Sequence, residues 1–284
     1  MIFNEFLSHH KPHEELEELE IKLLLNGVYE WCGYDFRDYA YPSLRRRILH
    51  RVYSEKLSTI TELLNKLLHD NACLHRLIDD LSINVTEMFR DPSFWKEFRE
   101  NVIPFLQTFP SIRIWHAGCA TGEEVYSMAI LLKEEGLYEK TKIYATDINQ
   151  EVLQTAKRGY YPLEHMKKYT QNYLQSGGNR AFSDYYKVTD TGVKFNSNLM
   201  KNVVFAQHNL VSDRSFNEFQ VILCRNVMIY FNKTLQKNVH QLFYESLSKF
   251  GFLGLGDKET MHFTDFDKYY EQVSTKQKLY QKTT

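Results

Sequence analysis

The stretch Ile112-Arg113-Ile114-Trp115-His116-Ala117-Gly118-Cys119-Ala120-Thr121-Gly122-Glu123-Glu124 constrains this chain more than any other. An apolar run suited to a buried strand enters a turn of small residues and leaves it through two acids that open a helix. α/β proteins build nucleotide pockets this way, because small residues let the backbone approach a ligand and glycine adopts turn conformations that other residues resist. The turn has neither G-x-G-x-x-G nor G-x-x-x-x-G-K-[ST] spacing, and two glutamates in a first helical turn repel a pyrophosphate. The expected ligand is a nucleoside with free hydroxyls or a positive centre, not a polyphosphate.

The rest of the chain extends that pattern. Strand-like runs (112–115, 142–146, 203–207, 221–224, 252–255) alternate with helical ones (123–135, 149–158, 234–248). Such alternation predicts an α/β fold: a doubly wound, mostly parallel sheet with helices on both faces. Two short alternating runs about Thr189-Asp190-Thr191-Gly192 predict an inserted antiparallel β hairpin within about 182–202. Upstream, leucines at helical spacing over residues 14–80 predict an N-terminal helical domain. The expected division is therefore 1–81 helical, 82–110 a linker segment that contributes to the active site and runs into an aromatic helix around Phe94, Trp95 and Phe98, and 111–284 catalytic.

Composition excludes several classes. With 35 basic against 36 acidic residues there is no global attraction to nucleic acid or anionic membrane. No apolar run approaches the ~20 residues of a membrane span, and the first residues lack the cationic flank of a signal peptide, so a cytoplasmic protein is expected. Cys32, Cys73, Cys119 and Cys224 form no C-x-x-C pair, which suggests neither a zinc site nor disulfides, and no metal is expected.

Asp147 ends a strand at about the distance after the glycine turn where doubly wound folds place an acid on a ribose diol; capping the next helix is the competing role. Glu123 and Glu124 either complement a helix dipole or face a cationic ligand. The run from Phe219 to Cys224 stops at Arg225-Asn226, followed by Tyr230, and strand carboxyl ends are where open sheets bind ligands. A structural ion pair for Arg225 and a core position for Tyr230 are the alternatives. Asn84, Thr86 and Arg90 lie either along one cleft or in a helix cap. Between Ala40 and Ser54 there is no acid, and one helical face would carry Arg46, Arg47, His50 and Arg51, either as a solvated face or as a docking strip.

Taken together, these segments resemble the CheR family of chemotaxis receptor methyltransferases. Asn84-Val85-Thr86-Glu87-Met88-Phe89-Arg90 is similar to the family's N-x-T-x-F-F-R. Trp115 to Ile130, Ala145-Thr146-Asp147-Ile148 and Cys224-Arg225-Asn226-Val227-Met228-Ile229-Tyr230-Phe231 supply three further ordered motifs. The resemblance, over roughly residues 18–282, implies a Rossmann-like methyltransferase fold and transfer of a methyl group from S-adenosylmethionine, giving S-adenosylhomocysteine, to receptor glutamates. By the same resemblance Asn84, Thr86, Arg90, Glu124, Asp147, Asn209, Leu210, Arg225 and Asn226 fall on cofactor positions. Arg90 and Tyr230 are the candidate catalytic pair, and Arg45, Arg46, Arg47 and Arg51 fall on the receptor-docking helix. A monomer acting on the cytoplasmic helical region of methyl-accepting receptors is implied. A related carboxyl methyltransferase with another protein substrate, or a cofactor-binding scaffold, are the other readings.

Two departures stand out. The insert between Tyr185 and Phe195 is a few residues shorter than in members that grip a receptor's C-terminal tether, so tether-independent docking is expected. Where the family carries G-H-S-E, this chain reads Gly256-Asp257-Lys258-Glu259.

Overall fold

In a computed structural model, which describes residues 13–82, 84–262, 264–274 and 276–283, the chain divides into two units, one ending at residue 83 and the other beginning at Asn84. The leucine spacing of the first produces four helices: α1 (His13–Cys32), α2 (Tyr41–Ser54), α3 (Ile60–His69) and α4 (Asn71–Leu81). Leu24, Phe36, Ile48, Leu63 and Leu77 are fully buried among them. Local chemistry sets the ends. Pro42 opens α2, where a missing N–H costs nothing. Thr59 and Glu62 form a capping box on α3, and Asp70 accepts from the Ala72 and Cys73 amides of α4.

The second unit contains α5 (Pro92–Asn101), α6 (Ile103–Gln107), β1 (Ile112–Ala117), α7 (Glu123–Glu134), β2 (Thr141–Asp147), α8 (Gln150–Arg158), β3 (Tyr160–Tyr161) and α9 (Met166–Gln175). Then follow β4 (Tyr186–Thr189), β5 (Gly192–Phe195), β6 (Val203–Gln207), β7 (Phe219–Cys224), α10 (Lys233–Ser246), β8 (Leu247–Leu255), β9 (Tyr270–Gln272) and β10 (Leu279–Lys282). The seven-stranded sheet has the order β6-β2-β1-β7-β8-β10-β9. The first five strands are parallel; β10 pairs antiparallel with β8, and β9 antiparallel with β10. From β1 the chain runs outward through β2 to β6, then returns to β7 on the other side. That reversal opens a crevice at the carboxyl ends of β1, β2 and β7.

Residues 84–110 belong to the second unit, where the aromatic helix around Phe94, Trp95 and Phe98 is α5; these side chains and Leu106 of α6 are buried in its core. The inserted hairpin is β4–β5, and β3, which begins at Tyr160, pairs with β5 as a third strand of the small sheet.

Candidate functional site

The turn after β1 is held from beneath by β2. The Gly118 and Cys119 amides both donate to the Thr146 carbonyl at 2.9 Å, and the Ala120 amide donates to Asp147 Oδ2 at 2.9 Å. Gly118, Ala120 and Gly122 have φ of 77°, 47° and 94°, the left-handed region. A Cβ on Gly118 would lie 2.6 Å from Val227 Cγ2, and one on Gly122 2.7 Å from Ala156 Cβ. The glycines supply the left-handed turn conformations expected of them, and each also sits where a Cβ would strike a neighbouring element. Asp147, 7% exposed, also accepts from the Asn149 amide at 3.0 Å. Asn149, not Asp147, caps α8. Backbone amides of Ala120, Ile148 and Asn149 all serve the Asp147 carboxylate. Burial raises its pKa.

The acids that open α7 part company. Glu123 is buried, takes hydrogen bonds from Thr121 Oγ1 at 2.6 Å and Tyr169 Oη at 3.2 Å, and burial pushes its carboxyl up to about 7. Glu124 meets His116 Nδ1 at 2.9 Å and Arg225 Nη1 at 3.2 Å. Burial alone would raise its pKa, but the His116 bond and the Arg225 charge outweigh it and hold the carboxyl below its ordinary value. Arg225 also donates from Nη2 to Asp91 Oδ2 at 2.8 Å and lies over the Phe94 ring at 4.1 Å. Its side chain is 2% exposed. The structural ion pair weighed as an alternative for Arg225 is therefore present. Glu124 already has a cation, so it is not a free counter-charge for a positive ligand.

Arg225 ties the crevice to a strap, residues 84–91. The Phe89 amide donates to Ser127 Oγ at 2.8 Å, and Asn172 Nδ2 donates to Glu87 Oε2 at 2.9 Å and to the Met88 carbonyl at 3.0 Å. Trp95 Nε1 donates to the Arg90 carbonyl at 3.1 Å. Phe89 and Asp91 hold φ of 49° and 54°, strain that the surrounding bonds sustain. Helix α5 starts only at Pro92, with Asp91 before it, so Asn84 and Thr86 cap nothing there. Both are half-buried. The Arg90 guanidinium bends back to the Val85 carbonyl at 3.1 Å.

Beyond β7, Asn226 adopts φ 61° and its amide is received by Glu259. Glu259 was invisible to motif reasoning as a site residue, because its partners are main-chain amides. Tyr230 ends a short 3-10 turn, half-buried. Asn209 and Leu210 follow β6, beside Asp147, whose carbonyl takes the His208 amide at 3.1 Å. Asn209 Oδ1 accepts from the Val211 amide at 2.9 Å, an Asx turn.

Residues 84–279 match the family described as CheR methyltransferase, SAM binding domain, and residues 19–82 match its all-alpha domain. The chain belongs to the CheR methyltransferase family. It is 46% identical over 270 residues to "Putative methyltransferase Cher3" of Pseudomonas putida, covering 95% of this chain and 99% of that one. It is 31% identical to a "Chemotaxis protein methyltransferase" of Borreliella burgdorferi, with 85% of this chain and 88% of the other covered. A protein of the same name from Escherichia coli is 28% identical, with 86% and 85% covered.

This CheR chain is thus an S-adenosylmethionine-dependent methyltransferase. Asp147, at the end of β2, could accept from a ribose hydroxyl. Among the described residues Asn226 Oδ1 is buried without a hydrogen-bond partner, an acceptor suited to a cofactor N–H or O–H.

The basic strip of α2 needs a correction. Arg45 forks onto Glu17 at 2.5 and 2.9 Å, and Arg47 donates to the Asp80 carbonyl. Arg51, 11% exposed, bonds Asp80 at 2.8 Å and Glu55 at 3.3 Å. Among the described residues, Arg46 alone of the four arginines is exposed with no hydrogen bond or ion pair. Most of the strip's charge is spent inside the helical unit.

Proposed function

We propose that this CheR-family chain methylates glutamate side chains of chemotaxis receptors, forming methyl esters. The observation that carries this reading is the convergence of Asp147, the Glu124–Arg225 pair, Asn226 and the strap bearing Arg90 on one crevice, joined by the Arg225–Asp91 ion pair at 2.8 Å. When bound, S-adenosylmethionine supplies a methyl group made electrophilic by its sulfonium.

The chain's own task is alignment. A glutamate side chain, pKa about 4.3, is already ionised at neutral pH, so no general base is required. Asp147 and Asn226 bind and orient, while the paired state of Glu124 keeps a second free carboxylate from competing with the substrate for the cationic centre. Arg90, tethered among the described residues only to its own strap, swings to fork the incoming carboxylate, with the Tyr230 hydroxyl beside it. Anion meets cation in the transition state, so a site that excludes water favours the step. The exposed edge of α2, with Arg46 and the solvent side of Arg45, meets an acidic receptor helix, while Arg47 and Arg51 hold α2 in place.

The test is transfer of labelled methyl groups from S-adenosylmethionine to receptor-bearing membranes of the native host. Volatile, alkali-labile product mapped to receptor glutamates is expected. Alkali-stable label, or label only on other proteins, would remove the reading.

A further inference from the structure

Three consecutive amides after β7 point into one concavity, and a single carboxylate fills it. Glu259 Oε2 accepts from Asn226 N at 3.0 Å and Gly256 N at 2.6 Å, and Oε1 accepts from Val227 N at 2.9 Å and Met228 N at 2.7 Å. Asn226 is left-handed at φ 61°, and Val227 right-handed at φ −109°, ψ −55°. Such a change of hand turns successive N–H groups to one side and makes an anion-binding nest. Here the anion is the protein's own.

The fit leaves little freedom. The loops after β7 and β8 lie side by side because Cys224 pairs with Leu255 in the sheet. A Cβ on Gly256 would fall 2.7 Å from Asn226 N and 2.9 Å from Glu259 Oε2, so the chain passes there only as glycine. Asn226 carries a Cβ in a conformation that L-residues resist, and the carboxylate beneath it offsets that cost. The Asn226 side chain is thereby presented with its Oδ1 buried and, among the described residues, without a partner.

We propose that Glu259 is a positioning residue of the methyl-transfer site: it fills the amide nest of residues 226–228 and so sets Asn226 for the cofactor. This rests on the assignment of Asn226 to the cofactor site. It also accounts for the Gly256-Asp257-Lys258-Glu259 segment, in which the first and last residues do the structural work and the exposed Asp257 and Lys258 are free to vary.

The nest gives a test that a general packing role does not pass. Glu259→Ala leaves four amides around a space shaped for a carboxylate, which a small carboxylate can enter. Calorimetric titration with S-adenosylhomocysteine is expected to show affinity weakened on the order of 10- to 100-fold. Added formate, but not chloride at equal ionic strength, restores most of it. A folded variant with wild-type affinity, or weakened affinity that formate leaves unchanged, overturns the proposal. If Glu259→Ala does not fold, Glu259→Gln, which sets an N–H₂ against two of the donors, is expected to fold and bind weakly. Wild-type affinity in it, or failure of both variants to fold, also overturns the proposal. The wild-type protein is titrated first, and Asn226→Ala beside it: if that variant binds as well as wild type, it is the cofactor assignment of Asn226 that fails, and the proposal with it.

Discussion

Arg225 Nη2 donates to Asp91 Oδ2 at 2.8 Å, joining residues 134 positions apart in the chain. The same guanidinium reaches Glu124 at 3.2 Å, so one buried cation fixes both the strap and the first turn of α7. Arg225→Ala strands two carboxylates and is expected to cost about 3 kcal/mol in urea unfolding. Arg225→Lys should recover only part, since an ammonium lacks the fork that spans both acids. Equal midpoints for wild type and Arg225→Ala would contradict this.

Arg90 lies on that strap but carries none of its weight. Among the described residues its side chain hydrogen-bonds only the Val85 carbonyl of its own segment, while its main-chain carbonyl receives Trp95 and Arg225. Arg90 is half-buried and has one local bond to lose, so Arg90→Ala should unfold within about 1 kcal/mol of wild type. Its methyl-transfer rate should fall on the order of 100-fold through loss of substrate alignment. Unchanged turnover would remove Arg90 from the chemistry.

Alternation of strand and helix made the main sheet legible before any coordinates, because period-2 and period-3.6 patterns survive in a sequence. The closing strands β9 and β10 did not show. They are three and four residues long, and β10 ends with Lys282 donating to the Tyr244 and Leu247 carbonyls, a satisfied cation that reads in sequence as a solvated one. The α2 strip misled for a related reason. Its acids, Glu17, Glu55 and Asp80, lie outside the window that looked uncompensated. The turn at Gly118 and Gly122 was legible as a turn needing glycine conformations, but its close approaches to Val227 and Ala156 were not. Partners distant in sequence leave no local periodicity to detect.

Glu123 predicts a pH dependence. Its folded-state pKa is raised by burial to about 7, whereas the unfolded chain titrates at about 4.3. The folded state thus holds an extra proton between those values, so the stabilisation is complete below the lower one and lost as pH rises through the upper. The loss amounts to the order of 3 kcal/mol. Glu123→Gln abolishes it, so urea midpoints at pH 5 and 8 should diverge, the variant gaining on wild type as pH rises. Parallel profiles would show that Glu123 is already ionised in the folded protein.

Arg46 and Arg51 separate docking from folding on the same helix. Arg51 is nearly enclosed, donating to Asp80 at 2.8 Å, to Glu55 at 3.3 Å and to the Arg76 carbonyl at 3.2 Å. Removing it leaves Asp80 without that neighbour and takes away one of the bonds between α2 and α4, so Arg51→Ala should destabilise the protein by about 2 kcal/mol. Arg46 is exposed, with no hydrogen bond or ion pair among the described residues. Arg46→Ala should leave stability unchanged within about 0.5 kcal/mol. If α2 meets an acidic receptor helix, its loss raises KM for receptor while kcat holds, and the gap narrows as salt screens the pair. A KM unaffected at low ionic strength would place the docking surface elsewhere on the protein.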